Sequence, residues 1–146
     1  MSNYRIIEVC NKRDLKRFIR FIDDLYKGCD MYVPPLHKGQ ERDLMHSPSL
    51  EYCTRKMWIV EDEKGKVVGR ICAMINPRYN EKYDKKRVRF GWFDLINDVE
   101  VARLLIGTAE AWAKENGMEE IHGPLFYNTL GRQGMLIEGF DKLPPF

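Results

Sequence analysis

Residues 57–76 constrain the fold of this chain more than any other stretch, because they read as strand, tight turn, strand, and the second strand is apolar on both faces. Met57-Trp58-Ile59-Val60 supplies β-branched and aromatic residues, and Asp62-Glu63-Lys64-Gly65-Lys66 supplies turn chemistry. Val67-Val68-Gly69-Arg70-Ile71-Cys72-Ala73-Met74-Ile75 then runs on without polar alternation, with Ile71, Ala73 and Ile75 pointing one way and Cys72 and Met74 the other. A strand that is apolar on both faces needs cover on both, so it belongs at the centre of a sheet packed by helices. The expected class is therefore α/β with a mixed sheet.

The rest of the chain supplies those helices. Residues 4–9 form a strand candidate, and Asn11 with Asp14 three positions on makes an N-cap with an acidic first turn. Leu15, Phe18, Ile19, Ile22, Leu25 and Tyr26 follow at helical spacing, opposite a face of Arg13, Lys16, Arg17 and Arg20 that reads as solvated. Gly28 ends this helix, and Met31-Tyr32-Val33-Pro34-Pro35-Leu36 is an extended connector, since each proline excludes helix from the residue before it. A short helix is expected over 38–46. Residues 76–86 read as a solvated hairpin connection, and 87–95 as a further strand. Asn97, with Glu100 three residues on, opens a long helix whose buried stripe is Val101, Leu104, Leu105, Thr108, Ala109 and Trp112. Gly117 closes it, and 118–122 is a strand. A strand, long helix and strand in this order form a crossover, the connection that parallel pairing requires.

Composition excludes several classes of function. One domain over 1–146 is expected, with a core burying roughly 68% of the unfolded surface. Twenty-four Lys and Arg against 22 Asp and Glu leave a formal charge of +2, too balanced for bulk attraction to nucleic acid or anionic membrane. No apolar run approaches the roughly 20 residues that span a bilayer, and no signal-like segment follows Met1, so the expected compartment is the cytoplasm. Cys10, Cys29, Cys53 and Cys72 lack any Cys-x-x-Cys pair and read as reduced, mostly buried thiols. His37, His46 and His122 have no metal-ligand spacing, and no Ser-His-Asp or Cys-His arrangement assembles. Trp58, Trp92 and Trp112 sit among apolar neighbours and read as core.

The element order, together with Tyr26-Lys27, Tyr32-Val33-Pro34-Pro35-Leu36, Val68-Gly69-Arg70-Ile71, Ile75-Asn76, Gly91-Trp92-Phe93 and the run Gly134-Met135-Leu136-Ile137-Glu138-Gly139-Phe140-Asp141, resembles the GNAT superfamily of acyl-coenzyme A N-acyltransferases, specifically a GNAT-like bacterial group. The resemblance covers nearly the whole chain and implies a central mixed sheet flanked by helices. Members of that group continue beyond the Gly-Phe-Asp-x-x-Pro-Pro stretch, so the chain is expected to be an N-terminal part lacking the last strands of the fold, with an open sheet edge that invites self-association. The implied function is transfer of an acyl group from acyl-coenzyme A to an amine. The alternative is a non-catalytic binding or interaction module on the same scaffold.

That alternative has a sequence basis. In the superfamily the coenzyme's diphosphate sits on backbone N–H groups of a glycine-rich loop at the start of the long helix, where the helix dipole favours an anion. Here the stretch is Leu95-Ile96-Asn97-Asp98-Val99-Glu100, which has no glycine and places Asp98 and Glu100 where a phosphate would be repelled.

Candidate site residues follow from the rule that ligands of open α/β sheets bind beyond the carboxyl ends of the parallel strands. Those ends are Phe93-Asp94-Leu95 and Gly123-Pro124-Leu125-Phe126-Tyr127-Asn128. An acyltransferase needs a base for the amine and an acid for the leaving thiolate. Asp94 is the candidate base and Tyr127 the candidate acid. Phe93, Leu95, Gly131, Arg132 and Gly134 are candidates for holding the acyl donor, the last three as a displaced anion loop. Asn76 and Asn128 are candidates for the acceptor, and so is Glu138, which the resemblance implies lies near the pocket.

Overall fold

A computed structural model describes residues 3–128, 131 and 133–143. Its described strands form one sheet in the order β1 (Arg5–Glu8), β2 (Thr54–Glu61), β3 (Val67–Ile75), β4 (Arg87–Leu95) and β5 (Glu120–His122). The first three neighbouring pairs are antiparallel, and β4 with β5 is parallel. The helices are α1 (Lys12–Leu25), α2 (His37–His46), α3 (Pro77–Tyr83) and α4 (Val99–Glu115), with a 3₁₀ turn over Pro48–Glu51.

The two-faced β3 sits third of five, as the hairpin sequence requires. Ile71, Ala73 and Ile75 face Val101, Leu105, Ala109 and Trp112 of α4, while Cys72 and Met74 face Leu15, Phe18 and Ile19 of α1 and Leu44 of α2. Ile71, Cys72, Ala73 and Met74 are all fully buried. Gly69 sets the depth of α4: a Cβ there would lie 2.7 Å from Val101 Cγ1, so only glycine lets the helix settle this closely on the strand. The three tryptophans are buried. Cys53 and Cys72 are buried too, but Cys10 and Cys29 are exposed, against the expectation of mostly buried thiols.

Local chemistry explains the boundaries. Asn11 caps α1, its side chain accepting from the Asp14 N–H at 2.8 Å. Residues 76–86 are not a plain hairpin connection, because Asn76 accepts from the Tyr79 N–H at 3.0 Å and Pro77 occupies the first turn, starting α3. The cap of α4 is Asp98 rather than Asn97. Its carboxylate accepts from the Glu100 N–H at 2.8 Å and from the Tyr4 hydroxyl at 2.6 Å, which pins β1 to the helix start.

Glu61 joins three elements at the end of β2. It is buried, and it accepts from Arg5 at 2.6 Å and from Arg17 of α1, so Arg17 leaves the otherwise solvated basic face. The Arg5 guanidinium, and after it that of Arg17, holds the Glu61 carboxyl below its ordinary value against the opposing effect of burial. A carboxyl more acidic in the folded state contributes stability above its unfolded pKa and loses that contribution as pH falls through the lowered folded value. Glu61→Gln is expected to cost about 2 kcal/mol at neutral pH and to flatten the acid limb of the stability profile. Urea unfolding at pH 7 and pH 3 measures both, and an unchanged acid limb in the variant would refute the linkage.

Candidate active site

The site begins with a broken ladder. Gly69 pairs with Leu95, Arg70 with Asp94 and Cys72 with Gly91, so Ile71 alone is opposed by both Trp92 and Phe93. This is a β-bulge, and Trp92 adopts the left-handed φ of +45° within it. The extra residue resets the alternation of β4: Trp92 joins the α1 face, while Phe93 and Leu95 pack with the α4 face. On the other side, β4 and β5 pair only over Arg87–Arg89 and Glu120–His122. Toward the cleft, past β5, a bond from the Leu125 N–H to the Phe90 carbonyl at 2.7 Å joins the two segments again. Among the described residues no backbone bond joins the two chains beyond it. A Cβ on Gly91 would collide with the Leu125 carbonyl, so the close crossing at this point depends on glycine.

Beyond the crossing lies a cleft of about 370 Å³. Trp92 and Phe126 line it as a parallel stack with centroids 3.9 Å apart, and Tyr26 and Tyr32 as a second stack at 4.0 Å. Arg70 supplies the floor. Its side chain is 2% exposed and donates from Nε and Nη2 to Asp94 Oδ2, both at 2.9 Å. Its Nη1 donates to the Phe18 carbonyl at 2.9 Å and to Gln40 Oε1 at 3.4 Å. The guanidinium thus spends its donors on β4, α1 and α2. Asp94 keeps Oδ1 without a hydrogen bond among the described residues, on a side chain that is 19% exposed. The Tyr26 phenol is pushed up by burial first and by the Asp94 charge second, with Arg70 opposing.

The residues expected from sequence divide by position. Asp94, Phe93 and Gly134 line the cleft together, Gly134 at φ +82° with its N–H on the Pro124 carbonyl at 2.9 Å. Tyr127 lies beneath the Trp92 ring, 5% exposed and beside Cys72; burial pushes its phenol far up, and it does not line the cleft. Burial likewise pushes the Cys72 thiol up to about 12. Leu95 points to α4, where it meets Gly69. Asn76 caps α3 at the far end of β3, roughly 20 Å along the strand from Arg70. Gly131 packs on Phe126, while Asn128 and Glu138 are exposed and outside the cleft lining. Arg132 lies outside the described residues.

Sequence reasoning passed over Arg70, Gln40 and the two aromatic stacks as site components. The signal for Arg70 was present: a guanidinium inside a strand that is apolar on both faces must bring its own carboxylate, and the neighbouring strand offered Asp94. Gln40 carried no such mark, because a glutamine on a polar helix is indistinguishable from any solvated residue.

A mixed five-stranded sheet with helices on both faces is the fold this chain shares with GNAT-family acetyltransferases. An acetyltransferase of the GNAT family from Staphylococcus aureus Mu50 superposes on 81% of this chain and 70% of its own at a TM-score of 0.56 and 16% identity. A tandem GNAT protein from the clavulanic acid biosynthesis pathway superposes on 79% of this chain and 34% of its own at a TM-score of 0.62 and 13% identity. In sequence, the chain is 38% identical over 135 residues to Protein YghO of Escherichia coli K12, covering 92% of this chain and 34% of that protein. It therefore spans about a third of the length of that curated relative. No family model matches the chain. Among the described residues no helix is long and apolar enough to cross a membrane.

The ion pair makes a direct prediction. Arg70→Met leaves Asp94 beside an apolar floor and is expected to cost about 3 kcal/mol. Adding Asp94→Leu should recover most of that loss. Chemical denaturation of the single and double variants reads the coupling, and additive losses would show that the pair is not a unit.

Proposed function

We propose that the chain carries out acyl transfer from acyl-coenzyme A to an amine, with the acceptor entering the cleft between α1, α2 and the bulged end of β4. The observation that carries this reading is Asp94: a carboxylate at the carboxyl end of a strand that splays from its parallel neighbour, anchored through one oxygen and open through the other. Asp94 Oδ1 takes the role of proton acceptor for the incoming ammonium, directly or through one water. Arg70 fixes that carboxylate and keeps it from turning away. The bulge at Trp92 and Phe93 is the proposed place where backbone N–H groups meet the oxygen that gains charge during transfer.

The acyl donor supplies a thioester carbonyl for the amine to attack. At the start of α4 the residues do not fit its diphosphate. Asp98 already holds the Glu100 N–H and the Tyr4 hydroxyl, and Glu100, Asp62 and Glu63 surround the same recess. Hydrogen bonds from Tyr4 and then from the Glu100 backbone hold the Asp98 carboxyl below its ordinary value, which keeps the recess anionic. No step is assigned to that recess. The loop that carries Gly131, Arg132 and Gly134 remains the proposed place for the donor's anionic part.

The test is thiol release from acetyl-coenzyme A in the presence of a panel of primary amines, with Asp94→Asn as the diagnostic variant. At least a hundredfold loss of kcat/KM is expected, in a variant whose folding is checked by thermal unfolding. Absence of acetyl-coenzyme A binding at millimolar concentration, or full activity in Asp94→Asn, would overturn the reading.

A further inference from the structure

The cleft contains a buried polar atom that neither the fold nor the proposed chemistry uses. Gln40 is 6% exposed and lines the cleft, yet its Nε2 has no hydrogen-bond partner among the described residues. The orientation of the amide is set by its neighbour: Oε1 accepts from Arg70 Nη1, so a guanidinium that only donates forces the nitrogen to the other side. A buried amide N–H without an acceptor is costly. Its persistence in a ligand-sized cleft points to an acceptor that arrives with the ligand.

The position of that donor restricts the ligand. Gln40 and Asp94 are held by one guanidinium, Gln40 through Nη1 and Asp94 through Nε and Nη2. Both side chains line the same cleft and are bridged by this one guanidinium, so a small ligand that meets both presents an ammonium to one and an oxygen to the other. Charge restricts it again. Asp43, one helical turn beyond Gln40 on α2, also lines the cleft, and Arg70 against Asp43 and Asp94 leaves one negative charge uncompensated among these residues. A carboxylate is disfavoured there, whereas a neutral carbonyl suits the Gln40 donor. The remaining lining is aromatic and aliphatic, including Tyr26, Trp92, Phe126 and Leu136.

We infer that the cleft selects an α-amino amide with an apolar or aromatic side chain, such as an aminoacyl amide or the N-terminal residue of a peptide. Its ammonium lies on Asp94 and its carbonyl on Gln40 Nε2. This rests on the reading of the cleft as the acceptor site, but it concerns recognition and can be tested without any acyl transfer.

The experiment measures binding of three probes, L-phenylalaninamide, 2-phenylethylamine and L-phenylalanine, by calorimetry on the full chain with and without saturating acetyl-coenzyme A. The amide is expected to bind about tenfold more tightly than 2-phenylethylamine, which lacks the carbonyl, and L-phenylalanine is expected to bind weakest. This order is read on the unmodified chain, so it does not depend on any variant folding. Gln40→Met, of similar length but without a donor, should reduce the amide to the affinity of 2-phenylethylamine and leave 2-phenylethylamine unchanged. Asp43→Asn should improve L-phenylalanine relative to the amide. Equal affinities for the amide and 2-phenylethylamine, an equal loss of both in Gln40→Met, or no saturable binding of any probe would overturn the inference. Amide-selective binding in a chain that never binds acetyl-coenzyme A would uphold it and overturn acyl transfer instead.

Discussion

The guanidinium of Arg70 is the interaction on which the rest of this structure depends. It sits in the central strand of an otherwise apolar layer, where an unpaired charge would cost several kcal/mol. The charge is met by Asp94, and the donors left over reach a carbonyl of α1 and the amide of Gln40 on α2. One side chain therefore sets the positions of β3, β4, α1 and α2 relative to each other. An apolar residue would pack there at lower desolvation cost, but it would not orient Asp94 or Gln40. The polar floor of the cleft is built into the core, whereas the segment 133–143 that forms its outer wall is largely exposed and joins the sheet through the Gly134 N–H to Pro124 bond.

The bulge at Trp92 converts that fixed floor into an opening. Left-handed backbone costs a tryptophan on the order of 1–2 kcal/mol, and the burial of its ring with the Phe126 stack offsets this. The shift in alternation places Gly91 and Trp92 on the same face, leaving room at one residue for the crossing chain and presenting a ring at the next. Without the extra residue, Asp94 would point toward α4 and the ion pair with Arg70 could not form. The bulge and the ion pair thus require each other.

Much of the scaffold was legible because it rests on periodicity and local capping. The central position of β3 follows from its two apolar faces, and α4 follows from a stripe that begins at Val101 and ends at Trp112. Where the reading failed, it failed on competition between local signals. Asn97 and Asp98 are both good caps, and the contact of Asp98 with Tyr4, distant in sequence, favours the second. Residues 77–83 carry polar side chains on most sides, so no periodicity announced a helix that Asn76 and Pro77 nonetheless nucleate. Asp94 was legible as a carboxylate at the end of a strand, and Gly134 as part of a glycine-bearing loop after the last strand. Gln40 was not, because its significance lies in a bond that it fails to make. The position of Tyr127 was hidden as well, since the bulge in β4, a helix and a strand earlier in the sequence, decides that Trp92 covers it.

The anionic recess at α4 and the cleft under Tyr26 lie at different places on the same sheet edge, and their electrostatics divide the labour of any ligand. Asp98 takes the Glu100 N–H, one of the helix-terminal donors an anion would otherwise use, and its bond with Tyr4 makes that arrangement part of the fold. Removing the carboxylate would free the helix terminus only by loosening β1. The start of α4 therefore carries a structural contact, while the bulge, the splay and a carboxylate with one open oxygen stand at the cleft. On the proposed reading, the donor's anionic part is met away from the start of α4, and the fixed polar atoms of the cleft lie on the acceptor side.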